Sequence, residues 1–460
     1  MSAFRFVDLF CGGGGSITGA INALHAAGEC YEGRGFNHWE TAIRTIQANH
    51  PEIVPDFKRA CAPIESILPD EIFSTDPERI DVLWASPSCT HHSVAAGGKP
   101  RSNQLRSQPE YLLPYLRLTR CRRMFVENVK EMRDWGPLLD QDLVYKGRRY
   151  YAGRPDPRHK GLFFNLWYQE IKASGYDVEM EVLNAADHGA ATSRRRLIVQ
   201  AVRRSTGDKI IWPEKTHEEE PIRSLFEPGR YQWRSAAEII DWSIPGESIF
   251  NRKKPLCENT IRRIEAGIRK YWGAWAEPFL IVLRGTSEHA VESTAIPLSA
   301  PYGQAARVHG LDNPIPVIDT GNRYSVVQSL FIPQHGGGTV KPASSPLSTI
   351  ATTGSIGIVN PFIVKYYRQG RAVSPNIPLH TVTTKDRFGV VQGQILTLPD
   401  GRSFKLDITH RMLAARELAA AMSFPDGYVF CGGDTAAKKQ IGNAVPPVLA
   451  EALYRAALAS

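Results

Sequence analysis

The chain opens on an apolar run that ends in four glycines, and this pairing restricts the fold more than any other stretch. Residues 4–10, FRFVDLF, have the character of a buried strand. CGGGGSITGA follows, then an apolar-periodic stretch to about Ala27. The order is strand, glycine loop, helix. A second strand is expected at 31–36 and a helix over NHWETAIRTIQANH. Further strand patterns lie at 80–86, 123–129, 177–184 and 195–202, with helical patterns between several of them. Alternating β and α elements predict an α/β fold built on a doubly wound, mostly parallel sheet with helices on both faces.

At 460 residues the chain exceeds what one hydrophobic core ordinarily supports. After about residue 205 the texture changes, and Pro, Gly, Thr and short β-like runs become frequent. An internal repeat lies here: NPIPVIDTGNRYSVVQ from Asn313, SPLSTIATTGSIGIVN from Ser345 and IPLHTVTTKDRFGVVQ from Ile377. Its equivalent prolines, Pro314, Pro346 and Pro378, stand 32 residues apart. A step of that size means one repeated supersecondary unit. A second, smaller, mostly β domain is therefore expected over 206–404. Residues 407–424 and 438–457 return to helical patterns.

The net charge is +8 and the pI about 9.0, a mild bias toward polyanionic partners. Seven cysteines are scattered at 11, 30, 61, 89, 121, 257 and 431 without a CxxC pair, so neither a zinc site nor a disulfide framework is expected. The start MSAFRFVDLF is not read as a secretory signal, and no apolar run of about 18 residues offers a membrane span. The expectation is a reducing, cytoplasmic setting with free thiols and no membrane partner.

Glycines between strand and helix let a backbone approach a ligand closely, and a helix N-terminus offers free N–H groups. The loop has no P-loop Lys-Ser/Thr, and Gly12, Gly14 and Gly19 miss the GxGxxG spacing of a dinucleotide site. Asp8 stands at the strand end, where a cofactor edge can sit. Residues 85–93, ASPSCTHHS, follow another strand. Cys89 there can be a nucleophile, a small buried residue, or a metal ligand with His91 and His92. Adjacent histidines rarely aim at one ion and no second ligand cluster accompanies them, so no metal is expected.

Read together and in order, DLFCGGGG with Gly19, PSC at 87–89, ENV at 127–129, TSRRR at 192–196 and GNAV at 442–445 resemble the cytosine-C5 DNA methyltransferases. Arg416 and Glu417 fall in a stretch that looks like the motif preceding the last one. The resemblance covers 1–205 and 405–460. It implies a Rossmann-like methyltransferase domain made of those two segments, which binds S-adenosylmethionine and releases S-adenosylhomocysteine. It also implies a target-recognition domain over 206–404, a monomer, and double-stranded DNA as partner. By the same resemblance Cys89 is the nucleophile, adding to C6 of a flipped-out cytosine so that C5 accepts the methyl group. Glu127 contacts N3 and the amino group of that base. Of Arg194 and Arg196, one holds its O2 and the other braces the site.

The cofactor residues so implied are Asp8, Phe10, Gly12, Gly14, Asn37, Trp39, Pro87, Asn443 and Val445. Trp39 can stack on adenine or pack against the sheet. The chain departs from the family pattern at Asn37, where a Glu is usual, at Thr90 and Thr192, where Gln is usual, and at Cys61-Ala62, where an Asp is usual. In the repeats, Arg323, Lys385 and Arg387 with Tyr324 and Phe388 are candidates for DNA contact. Alternatives are a tRNA cytosine-C5 methyltransferase and a non-catalytic DNA-binding relative. A dinucleotide oxidoreductase fits only the first 40 residues. The resemblance extends to enzymes of restriction–modification systems, and no companion restriction endonuclease is assigned from these residues.

Overall fold

The computed structural model describes residues 3–73, 79–88, 108–221, most of 229–255, 377–379 and 404–460, together with several strands between 279 and 397. The main sheet begins with β1 (Phe4–Leu9), β2 (Tyr31–Phe36), β3 (Val82–Ala85) and β4 (Arg123–Asn128). A small hairpin follows, β5 (Leu143–Tyr145) and β6 (Arg148–Tyr150), and the sheet resumes with β7 (Tyr176–Asn184) and β8 (Arg195–Arg203). The order is β2-β1-β3-β4-β8-β7. Strands β1 to β4 are parallel; β8 runs against β4, and β7 against β8. The chain leaves β1 on one side to form β2 and returns on the other to form β3. Ligands of open α/β sheets sit at such a switch, outside the carboxyl ends of the strands.

The helices are α1 (Gly15–Ala27), α2 (Glu40–Asn49), α3 (Leu112–Thr119), α4 (Leu162–Ala173), α5 (Ala415–Ala421), α6 (Gly433–Asn443) and α7 (Pro447–Leu458), besides short turns. Strand side chains alternate between two apolar clusters, one on each face. Val7, Leu9, Leu83 and Val126 meet Leu116 of α3 and Phe164 and Trp167 of α4. Phe6, Trp84 and Phe125 meet Ile17 and Leu24 of α1 and Leu453 and Tyr454 of α7. Tyr454 stacks on Trp84 with centroids 5.9 Å apart, a geometry that adds ~0.5–1.5 kcal/mol to the burial itself.

Two helical expectations change. Residues 407–412 belong to a strand, because their ladder with the preceding strand outweighs local helical pattern, and only α5 remains of the helix expected at 407–424. The pattern at 438–457 breaks at Pro446-Pro447: α6 ends at Asn443 and α7 starts on Pro447, whose missing N–H costs nothing in a first turn.

The chain divides into two compact units. One is Met1–Ile239 with Pro378–Lys385 and Ala415–Ser460; the other is Ile240–Ile377 with Asp386–Ala414. These limits differ from the boundaries expected at 205/206 and 404/405. Residues 206–239 stay with the first unit because β9 (His217–Glu218) and β10 (Tyr231–Gln232) pair beside Asp187. The Thr216 N–H donates to the Asp187 carbonyl at 2.9 Å and the Trp233 ring N–H to its carboxylate at 3.0 Å.

The described part of the second unit is β11 (Glu247–Ser248), β12 (Phe279–Leu283), β13 (Ala295–Pro297), β14 (Arg323–Val327), β15 (Phe362–Lys365), β16 (Ala372–Val373), β17 (Phe388–Thr397) and β18 (Phe404–Met412). They form two antiparallel sheets, β11-β18-β17-β15-β16 and β13-β12-β14. Strands β14 and β17 contain Val326 and Val390, which occupy equivalent places in the first and third repeats.

Candidate active site at the carboxyl edge of the sheet

The carboxyl ends of β1 to β4 lie on one edge and are tied to one another. The Ser86 N–H donates to the Leu9 carbonyl at 3.1 Å, and the Cys11 N–H to the Phe36 carbonyl at 3.1 Å. Asn128, the last residue of β4, donates its side-chain amide to the Pro87 carbonyl at 3.0 Å. The Ser88 N–H is held by the Gln108 side chain at 2.9 Å. The loop after β3 is thus pinned to the end of β4. Pro87 is buried and acts through that carbonyl. Cys89 follows next in sequence and lies outside the described residues, as do His91, His92, Lys385 and Arg387.

Glu127 points toward β8. Its Oε1 is 2.7 Å from Nε of Arg196, and both side chains are less than a tenth exposed. A buried pair of this kind is held by its mutual attraction against a large desolvation cost, so each partner depends on the other. Arg194 is buried as well and donates to the Gly442 carbonyl at 3.1 Å, at the end of α6. The two arginines therefore separate: Arg196 faces the carboxylate, and Arg194 ties its segment to the last motif.

The glycine loop is shaped by two different demands. Gly12 has φ +52°, and a Cβ there would meet only the Phe10 carbonyl oxygen, at an ordinary 3.9 Å, so the backbone conformation rather than crowding favours glycine there. Gly15 is required by approach: a Cβ would lie 2.0 Å from the Val445 carbonyl oxygen. Gly14 is the left-handed N-cap of α1. Val445 is buried in the core behind the loop, and Asn443 is exposed at the end of α6. Neither lines the cleft described next; Val445 packs behind the loop, against Gly15.

Asp8 is likewise behind the loop. It accepts the Ser16 hydroxyl hydrogen bond and is almost wholly buried, while its Oδ1 has no partner among the described residues. Burial pushes its carboxyl up to about 8; the Ser16 hydrogen bond opposes that rise and the Glu127 charge adds to it. It meets Ser16 under α1 and is not among the residues that line the cleft described next.

A cleft opens beside the loop, lined by Phe10, Phe36, Asn37, Ile64, Glu65 and Gln108 among others. Phe10 sits at φ 64°, a left-handed conformation costly for a non-glycine residue. The Asn37 side-chain oxygen accepts the Trp39 N–H at 2.9 Å, a tight turn just before α2. Trp39 does not line the cleft. Its ring lies under the Lys439 ammonium, 4.2 Å from the centroid, a cation–π contact that joins α2 to α6. Glu65 is an addition to the residues expected from sequence. It is exposed at the rim and brings a carboxylate into the cleft where position 37 has none. The signal available for it was the one acidic residue in CAPIESIL. Among the described residues no group of three His, Cys, Asp or Glu side chains is placed to hold a metal, and no helix is long and apolar enough to cross a membrane.

A family model described as the C-5 cytosine-specific DNA methylase matches residues 156–276 and 347–459, just over half of the chain. The chain is 55% identical over 49 residues to the Type II methyltransferase M1.HphI of Haemophilus parahaemolyticus, covering 11% of this chain and 13% of that protein. It is 24% identical over 224 residues to the Type II methyltransferase M.AgeI of Thalassovita gelatinovora, covering 46% of this chain and 42% of that protein. The chain thus spans less than half the length of these relatives. A solved S. pombe Dnmt2 methyltransferase overlays with a TM-score of 0.46 at 13% identity, over 100% of this chain and 99% of that one, too loosely to carry an assignment.

Proposed function

The chain belongs to the C-5 cytosine-specific DNA methylase family, and from that premise we propose that it methylates C5 of a cytosine in double-stranded DNA, using S-adenosylmethionine. The observation that carries this reading is the buried Glu127–Arg196 pair beside the tethered Pro87 loop, one edge of one sheet holding both. Cys89, as thiolate, adds to C6 of the flipped base, and the C5–C6 π electrons become available at C5. One Glu127 oxygen accepts the amino hydrogen, and a proton carried on the carboxyl group passes to N3 as negative charge builds on the ring, returning when the ring is restored. Arg196 keeps the Glu127 carboxylate oriented from the far side. After transfer, water takes the C5 proton as the C6–S bond breaks and its electron pair returns to Cys89 as thiolate, so the ring is restored and the nucleophile regenerated.

The cleft beside Gly12 suits S-adenosylmethionine. Phe10 and Phe36 offer ring surfaces for a base, Asn37 and Glu65 offer groups for hydroxyls and an amino group, and the left-handed Phe10 keeps the loop open on that side. Bound there, this cofactor supplies the methyl group as an electrophilic sulfonium substituent and leaves as S-adenosylhomocysteine. Within this reading, the second unit grips the DNA while the base leaves the helix, a step that costs a few kcal/mol.

The test is nucleoside mass spectrometry on unmethylated DNA and on tRNA, each incubated with the protein and S-adenosylmethionine. 5-Methylcytosine in DNA supports the reading. Modified cytosine in tRNA alone, or none in either with cofactor binding demonstrated, overturns it in favour of an RNA enzyme or a non-catalytic relative.

A further inference from the structure

Residues 136–161 form an excursion between β4 and α4 that the proposed chemistry does not use. Strand β4 ends at Asn128 on the edge that holds Glu127. Helix α4 leads into β7, which runs parallel to β4 because both oppose β8. The excursion therefore leaves and rejoins the body at that same edge. Its base is fastened: Leu138 bridges Pro155, the Leu139 N–H donates to the Arg154 carbonyl at 2.8 Å, and the Gly153 N–H donates to the Leu139 carbonyl at 2.7 Å. The tip is the β5–β6 ribbon, turned tightly at Lys146 and Gly147, both at positive φ.

Three cations stand within four residues of this tip, each over a ring. Lys146 lies 5.4 Å from the Tyr145 centroid, Arg148 5.8 Å from Tyr150, and Arg149 5.6 Å from Tyr151. Arg149 also meets Asp142 at 3.2 Å on the exposed surface. Neither Lys146 nor Arg148 meets a carboxylate among the described residues. Val144 and Tyr151 are 70% and 57% exposed. A two-stranded ribbon with cations held over rings and bare apolar surface matches a polyanion whose groove admits two strands.

We propose that the β5–β6 ribbon is a DNA-contacting element, with Lys146, Arg148 and Arg149 gripping phosphates of the duplex beside the target base. This rests on the DNA-methylation reading above. Ring-stacked guanidinium groups lose little freedom on meeting a phosphate, which favours contact over solvation.

The experiment compares the full-length protein with Lys146→Glu/Arg148→Glu/Arg149→Glu and with the milder Lys146→Gln/Arg148→Gln/Arg149→Gln. Binding to a fluorescent duplex is followed by anisotropy across a range of KCl concentrations, with S-adenosylmethionine binding and thermal unfolding as controls. Loss of two or three phosphate contacts should lower the slope of log affinity against log salt by roughly 2–3, with both controls unchanged. An unchanged slope in folded variants of a protein that methylates DNA overturns the ribbon proposal and leaves the enzymatic reading standing. A wild-type protein that binds and methylates no DNA overturns both. A ribbon-dependent affinity for tRNA without one for duplex DNA overturns the choice of partner.

Discussion

Leu379 is bridged to Thr192 by a single parallel rung. The Leu379 N–H donates to the Ala191 carbonyl at 2.7 Å, and the Ser193 N–H donates to the Leu379 carbonyl at 2.6 Å. Leu379 and Thr192 are both fully buried. Thr192 stands two residues before Arg194, at a position where the family pattern has Gln, so a residue of the third repeat fixes the backbone that projects both arginines.

Removing that rung's side chain should loosen the arginine segment. Leu379→Ala is expected to cost ~2–5 kcal/mol of stability, and Leu379→Met under about 1.5 kcal/mol. Urea denaturation gives both values. Methyl transfer by the Ala variant should fall while S-adenosylmethionine affinity changes little. Equal stabilities for the two variants would mean that Leu379 is not packed as described.

The Glu127–Arg196 pair separates folding from chemistry. Glu127→Gln leaves the Arg196 guanidinium buried without its counter-charge, an expected loss of about 3–5 kcal/mol. Adding Arg196→Met should recover most of that stability, because the orphaned charge is gone. Transfer should be absent in both variants. Activity in the double variant, measured by tritiated methyl incorporation into DNA, would remove Glu127 from the mechanism.

Asp8 makes stability depend on pH. Its carboxyl ionises at about 8 in the folded chain, against an ordinary value of 3.8. The folded state holds the proton more tightly, so this contribution is complete below the ordinary value and is lost as pH rises through about 8. Asp8→Asn cannot ionise. Its stability relative to the wild type should therefore increase with pH across that window, in denaturation series run on mildly acidic and mildly alkaline sides. A difference independent of pH would show that Asp8 does not titrate there.

Cys89→Ser should abolish transfer and leave S-adenosylmethionine binding nearly intact, as read by incorporation assay and calorimetry. The hydroxyl keeps the size of the thiol but ionises far less readily, so no adduct forms at C6. Methylation by the Ser variant would refute the covalent scheme.

Much of the first unit was legible in the chain itself. Strand–glycine–helix order, the β2, β4, β7 and β8 patterns and the succession of short motifs are local properties, set by side-chain periodicity and by residues close in sequence. Val326 and Val390, at equivalent positions of the first and third repeats, both lie in strands. Tertiary structure decided what crosses between distant segments. It turned Asp8 under α1, set Lys439 rather than an open face over Trp39, gave Arg196 to Glu127 and Arg194 to Gly442, and brought Glu65 to the cleft. It also made Gly15 a point of contact with Val445 and drew residues 407–412 into a strand. These outcomes depend on which side chains meet after strands and helices pack, where desolvation, charge pairing and backbone ladders outweigh local preference. A periodic pattern specifies a face; only the packed neighbour specifies the partner.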